Sequence, residues 1–232
     1  MTRTMVKFCG ITRREDAWLA ADLGADAVGF IFWPGSPRVV RPDEARDIVR
    51  SLPPFIVPVG VFVDQPLGTV RDTARLVGLW AVQLHGQEQP AFAAALGVRV
   101  IKAVGEPGSD VVQEADSWPI DVTLLVDAVD PARRGGTGQK ADWETAAALA
   151  STRRIVLAGG LTPEIVADAI AAVQPYAVDV SSGVEDAPGL KNHARMRAFM
   201  DAVQRRDHRA RRRLVAAPGG GQSRHEDDPP PQ

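Results

Sequence analysis

Residues 154–181 read Arg154-Ile-Val-Leu-Ala-Gly-Gly-Leu-Thr-Pro-Glu-Ile-Val-Ala-Asp-Ala-Ile-Ala-Ala-Val-Gln-Pro-Tyr-Ala-Val-Asp-Val-Ser181. A short apolar run, Arg154–Ala158, gives way to two glycines and then to Thr162-Pro-Glu. That triplet supplies a Thr N-cap, a proline at the first helical position and an acid behind it. Ile165, Val166, Ala169, Ile170 and Val173 then recur along one helical face, and a second apolar run follows at Ala177–Ser181. The stretch reads as strand, helix, strand. Its strands are apolar throughout instead of alternating, the pattern of parallel strands covered on both faces.

Working outward, the same unit recurs. Further apolar runs lie near Val6–Cys9, Ala27–Phe32, Val57–Val63, Ala81–His85, Val98–Val104 and Val122–Asp127. Between them, Arg13–Leu23 places Ala17, Ala20, Ala21 and Leu23 on one side, and Pro42–Leu52 opens with a proline and two acids, good first-turn chemistry. Eight strands alternating with helices in a chain of this length predict the α/β class and a (β/α)8 TIM barrel, a single domain over residues 1–204. A doubly wound open sheet is the competing arrangement. No G-x-G-x-x-G follows the first strand, which weakens its dinucleotide-binding version.

Composition narrows the function. One cysteine in 232 residues excludes an internal disulfide and a cysteine-held metal cluster. A net charge of −2 argues against nucleic acid as the main partner, since a strongly basic domain is the usual footprint. No apolar run reaches the roughly 18 residues of a membrane helix, and Met1–Met5 lacks a signal-peptide pattern, so no membrane and a cytoplasmic compartment are expected. Residues 205–232 carry seven Arg and four acids, a net of +3, leaving −5 for the rest. With Pro218-Gly-Gly-Gly221 and an acidic, proline-rich end, this segment is expected to be a disordered tail whose arginines extend the last helix, form a solvated face or contact a polyanion.

Barrel enzymes place their chemistry at the C-terminal ends of the strands. The first strand ends in Lys7-Phe-Cys9-Gly, with Lys7 and Cys9 on one face; Cys9 reads either as a packed thiol or as one reaching into the mouth. Asp127 closes the sixth strand, where it is either a loop cap or a carboxyl held protonated by burial. A thiolate and a carboxylic acid at one mouth would make a base and acid pair. Arg38, in the turn-rich loop after the second strand, offers a fork for a substrate carboxylate. Gly159-Gly160 and Ser182-Gly183, after strands seven and eight, occupy the recurrent phosphate position of such barrels. Gly135-Gly-Thr-Gly138 is a further glycine segment, a loop over the site or a plain turn. His85 ends the fourth strand as an acid–base, substrate-binding or structural histidine. No spacing such as H-E-x-x-H occurs, so no metal is expected.

In order, Lys7-Phe-Cys-Gly-Ile-Thr12, Gly29-Phe-Ile-Phe32 with Ser36-Pro-Arg38, Val59-Gly-Val-Phe-Val63, Val82-Gln-Leu-His-Gly86, Gly135-Gly-Thr-Gly138, Ala158-Gly-Gly-Leu-Thr-Pro163 and Ala177-Val-Asp-Val-Ser-Ser-Gly-Val-Glu185 resemble the motifs of phosphoribosylanthranilate isomerases from about Val6 to Gln204. The resemblance implies a (β/α)8 barrel acting in tryptophan biosynthesis. Its reaction would be a cofactor-free Amadori rearrangement of N-(5′-phosphoribosyl)anthranilate to 1-(2-carboxyphenylamino)-1-deoxyribulose 5-phosphate. It further implies Cys9 as general base, Asp127 as general acid, Arg38 on the anthranilate carboxylate, and the Gly159-Gly160 and Ser182-Gly183 segments on the phosphate. Lys7, on the face of Cys9, reads as an electrostatic helper or a structural residue. The partner is then a small molecule, handled by a monomer or homodimer.

The chain departs from the family pattern at Ala141, where an aromatic is usual; this bears on packing after the glycine loop, not on the chemistry. Two other readings compete. A related phosphate-binding barrel, such as a synthase with a catalytic lysine or a broad isomerase with two aspartates, is disfavoured by the Cys9 and Asp127 pair. A scaffold that binds a polyanion through its arginine tail would lose its activity with residues 205–232.

Overall fold

The structure, a computed structural model, describes residues 3–105, 110–127 and 139–216, with the backbone alone at 139–142 and 209–216. Strands β1 (Met5–Phe8), β2 (Ala27–Ile31), β3 (Val57–Phe62), β4 (Ala81–Leu84), β5 (Arg99–Val104), β6 (Thr123–Asp127), β7 (Ile155–Ala158) and β8 (Ala177–Val180) close into a barrel in chain order. Every neighbouring pair is parallel, and β1 meets β8 with Lys7 opposite Asp179. Around them run α1 (Arg14–Asp22), α2 (Pro42–Ser51), α3 (Leu67–Val77), α4 (Pro90–Leu96), α5 (Val111–Asp116), α6 (Gln139–Thr152), α7 (Val166–Val173) and α8 (His193–Ala216). A short hairpin, β9 (Glu185–Ala187) with β10 (Leu190–Lys191), precedes α8.

Alternation along each strand divides the buried residues into two bodies. Outward side chains such as Phe8, Phe30, Leu84, Leu124 and Val178 join the helices in one large apolar layer. Phe8 meets Phe199 of α8 edge to face at 6.0 Å, an arrangement the ring quadrupoles favour. Inward, Ala103, Leu125, Val156, Ala158 and Ala177 fill a smaller core. Lys7, Gln83 and Asp179 are buried beside it, so the interior turns polar toward one end.

One expectation is corrected. The seventh helix begins at Val166, not beside Thr162: the Thr162 carbonyl accepts from Val166 N at 3.0 Å, opening a lone turn. Ile165 therefore stands at the N-cap position, with no side-chain cap, while the Thr162 hydroxyl donates to the Glu164 carboxylate and holds it below the ordinary range. Past Gln204 the arginines extend the last helix, one of the arrangements expected for them. Helix α8 runs through Arg205 to Ala216, and Asp207 accepts from Thr4 N at 2.7 Å and Thr4 Oγ1 at 3.0 Å. A truncation after Gln204 therefore removes a tie to β1, and one that tests the tail belongs beyond Ala216. The Ala128–Arg134 stretch, Gly135-Gly-Thr-Gly138 and residues 217–232 lie outside the described residues. No described helix is long and apolar enough to cross a membrane.

Candidate active site

The C-terminal ends of the strands surround a cavity of about 530 Å³. Cys9, Arg38, His85, Asp127, Gly159, Gly160, Ser182 and Gly183 all line it, so the sequence-predicted groups meet at one mouth. Lys7 lies beneath them, its charge favouring the ionised form of the Cys9 thiol. A larger cavity, about 800 Å³, lies at the N-terminal ends of the strands. Its arginines are engaged with rings, Arg99 over Trp80 at 3.9 Å and Arg154 over Tyr176 at 5.4 Å, and its lining holds neither thiol nor histidine.

Cys9 is 5% exposed at the end of β1. Burial pushes its thiol up, the Asp179 charge adds to that, and Lys7 and Lys191 pull it back without cancelling the rise. The Lys7 ammonium donates to Asp179 Oδ2 at 3.0 Å and to Gln83 Oε1 at 2.9 Å. Burial alone would favour its neutral form, but Asp179 and Cys9 outweigh burial and keep the charge in place. Because Lys7 only donates, Gln83 presents its oxygen to Lys7 and its NH2 to His85 Nδ1, 3.0 Å away. In the neutral ring, that contact places the His85 proton on Nε2. Asp179, Lys7, Gln83 and His85 thus form one ordered chain across the floor of the mouth.

Gly29 makes room for this chain. A β-carbon there would stand 2.7 Å from Cys9 Sγ and 3.1 Å from Lys7 Cε. Gly29→Ala is therefore expected to keep the barrel, judged by circular dichroism, and to lower kcat about 10- to 100-fold by displacing the thiol. A wild-type kcat in this variant would remove Gly29 from the site.

Asp127 ends β6, separated from β1 on one side by β7 and β8. Burial raises its carboxyl above the usual range, His85 opposes the rise and Asp179 reinforces it. Such a carboxyl keeps a proton that an exposed aspartate would lose. Beside it, Gly159 and Gly160 have φ of +85° and +61°, a left-handed turn that only glycine adopts without strain. Gly183 lies so close to the Leu161 carbonyl that any side chain would overlap it, which packs the loops after β7 and β8 back to back. Backbone N–H groups at such a junction suit an anion.

Arg38 reaches the mouth with 20% of its side chain exposed. Its Nε and Nη2 grip Glu185, at 3.0 and 2.7 Å, and the Nη1 edge of the fork is not engaged by that carboxylate. Burial would raise the Glu185 carboxyl, but hydrogen bonds from Arg38 and Lys191 hold it below the ordinary range. A further buried ion pair, Lys102 with Glu88 at 3.4 Å, lies under the loops after β3 and β4; Glu88 accepts from Asp64 N and Gly86 N and steadies the backbone beside His85. Among the described residues, no three His, Cys, Asp or Glu side chains group in a way that could hold a metal ion.

Sequence reasoning missed Asp179, Gln83, Glu185 and Lys191. Asp179 Oδ1 is buried without a hydrogen-bond partner and belongs to a residue of the cavity wall, so it offers an acceptor to whatever binds. Alternation on β8 from Ala177 would have placed Asp179 inward; nothing in the sequence pairs it with Lys7.

Residues 6–202 match the family model described as N-(5′-phosphoribosyl)anthranilate isomerase. The isomerase of that name from Pelobacter propionicus is 50% identical over 195 residues, covering 84% of this chain and 93% of that protein. Among solved structures, phosphoribosyl anthranilate isomerase from Thermotoga maritima superposes with a TM-score of 0.80 at 42% identity, over 87% of this chain and 98% of that one. A phosphoribosyl anthranilate isomerase in complex with reduced 1-(o-carboxyphenylamino)-1-deoxyribulose 5-phosphate gives 0.78 at 40% identity, over 87% and 98%.

Proposed function

This chain belongs to the N-(5′-phosphoribosyl)anthranilate isomerase family, an isomerase of tryptophan biosynthesis, and we propose that Cys9 is its general base and Asp127 its general acid. The observation that carries this reading is the shared mouth: a thiol, a carboxyl raised by burial, an arginine fork and two glycine-bearing loops line one cavity. The compound bound to the related isomerase carries a carboxylate on its aromatic ring and a phosphate on its sugar. Here Arg38 takes the first anion and the amides around Gly159-Gly160 and Ser182-Gly183 the second.

Protonated Asp127 donates to the furanose ring oxygen as the C1′–O bond breaks. The anilino nitrogen supplies the electron pair that forms the C1′=N bond of a Schiff base. The Cys9 thiolate then removes the C2′ proton, and the released pair forms C1′=C2′ while neutralising the iminium. The enolamine tautomerises to the ketone. Lys7 supports the thiolate, the acceptor on Asp179 faces the sugar, and His85 Nε2–H donates at the floor of the site. The reaction needs no cofactor or metal and proceeds in the cytoplasm, in a monomer or homodimer.

The test is a steady-state assay that follows the loss of phosphoribosylanthranilate fluorescence. Arg38→Ala is expected to raise KM by about 10- to 100-fold, the range of a charge-assisted hydrogen bond, with kcat within a few-fold of wild type. An unchanged KM would take the carboxylate away from Arg38.

A further inference from the structure

We propose that Lys191, a residue outside the reacting groups, positions Arg38 and keeps its positive charge available to the substrate carboxylate. The proposal rests on the reading of Arg38 above. The Lys191 side chain is 0% exposed at the end of β10. Its ammonium donates to Glu185 Oε1 at 2.8 Å, to the Cys9 carbonyl at 2.5 Å and to the Ser181 carbonyl at 3.2 Å. Three N–H donors thus meet three acceptors on three segments: the end of β1 that carries the thiol, the end of β8 that enters the Ser182-Gly183 loop, and the carboxylate that grips Arg38.

An apolar side chain would fill this space without the desolvation cost of a buried ammonium, so filling space does not explain a lysine here. Charge does. Lys191, Glu185 and Arg38 together carry +1. Without Lys191, Glu185 and Arg38 neutralise each other, and a substrate carboxylate meets a site with no net attraction and a competing anion already on the fork. With Lys191, the Glu185 charge is shared and the free edge of Arg38 stays attractive. The backbone under this side chain is anchored as well: Lys191 N–H donates to Asp16 Oδ2 at 3.4 Å, and Asp16 is fully buried between Arg13 and His193.

The experiment is a double-mutant cycle on KM and kcat with Lys191→Met, Arg38→Ala and the combination, in the phosphoribosylanthranilate assay. Lys191→Met is expected to raise KM about tenfold with kcat changed much less, and to add less than about twofold to KM in the Arg38→Ala background. A loss of stability alone would leave KM where it was. If Arg38→Ala raises KM but Lys191→Met acts equally in both backgrounds, or leaves KM unchanged, the positioning role is overturned while the reading of Arg38 stands. If Arg38→Ala itself leaves KM unchanged, that reading falls and this proposal with it. Should Lys191→Met not fold, Glu185→Gln carries the same cycle, with the same non-additivity expected and full additivity overturning the role.

Discussion

Replacing Cys9 by alanine is expected to lower kcat by about two to four orders of magnitude, the usual worth of a positioned base, while KM changes only a few-fold. The thiol sits where the first strand enters the mouth, and no other described thiol exists to replace it. Its environment also predicts an unusual pH dependence. Burial and the Asp179 charge hold the thiol above its ordinary value, and burial holds Asp127 above its own. The active form needs Cys9 ionised and Asp127 protonated, yet the acid still titrates below the base. The fraction in that form rises with pH until Asp127 begins to lose its proton. It then stays level, and falls only once the thiol is fully ionised. A profile of kcat/KM should therefore show a broad plateau, its acid break above the ordinary carboxyl range and its alkaline break above the ordinary thiol range. In Cys9→Ala the residual rate should depend on Asp127 alone and decline from the acid break onward. Wild-type turnover in Cys9→Ala would sink the base assignment.

The barrel was legible because the strands are short, mostly apolar runs that recur at regular spacing, with helix signals between several of them. The seam between first and last strands shows where that legibility ends. Reading Val6–Cys9 as a strand put Lys7 and Cys9 on one face correctly, with the strand itself placed one residue late. What lies beside Lys7, however, depends on closure, which sets Lys7 against Asp179 across 172 positions. The roles of Asp179, Gln83 and Glu185 are consequences of such pairings and have no local signature. Lys191 is a harder case: it stands in a two-residue strand before a basic helix, where a lysine reads as solvent-exposed, yet its side chain is wholly buried. Thr162 failed for a local reason, since a turn closed by its own carbonyl intervenes and puts Ile165, not Thr162, at the N-cap position. Arg38 was found as a cation, but its partner Glu185 was not, because the loop after β2 meets the hairpin after β8 only once the barrel is closed.

Asp127→Asn carries the second large effect, because it removes the proton while keeping the shape. Asparagine preserves a donor at the same position, so binding should persist and KM should move little. An amide cannot transfer a proton to the ring oxygen, however, and kcat should fall by about two to four orders of magnitude. Burial is what makes an aspartate serviceable here: it disfavours the carboxylate, and His85 opposes that push without reversing it. The pH profile separates this role from simple packing. With Asp127 gone, the acid break of the plateau should vanish, and the residual kcat/KM should climb with pH until the Cys9 thiol is ionised, the mirror image of Cys9→Ala. A profile in Asp127→Asn that keeps its acid break, or a kcat within a few-fold of wild type, would assign that break and the acid to another group. His85 would then be the first to examine, because it lines the same cavity with its Nε2 proton free of the Gln83 contact.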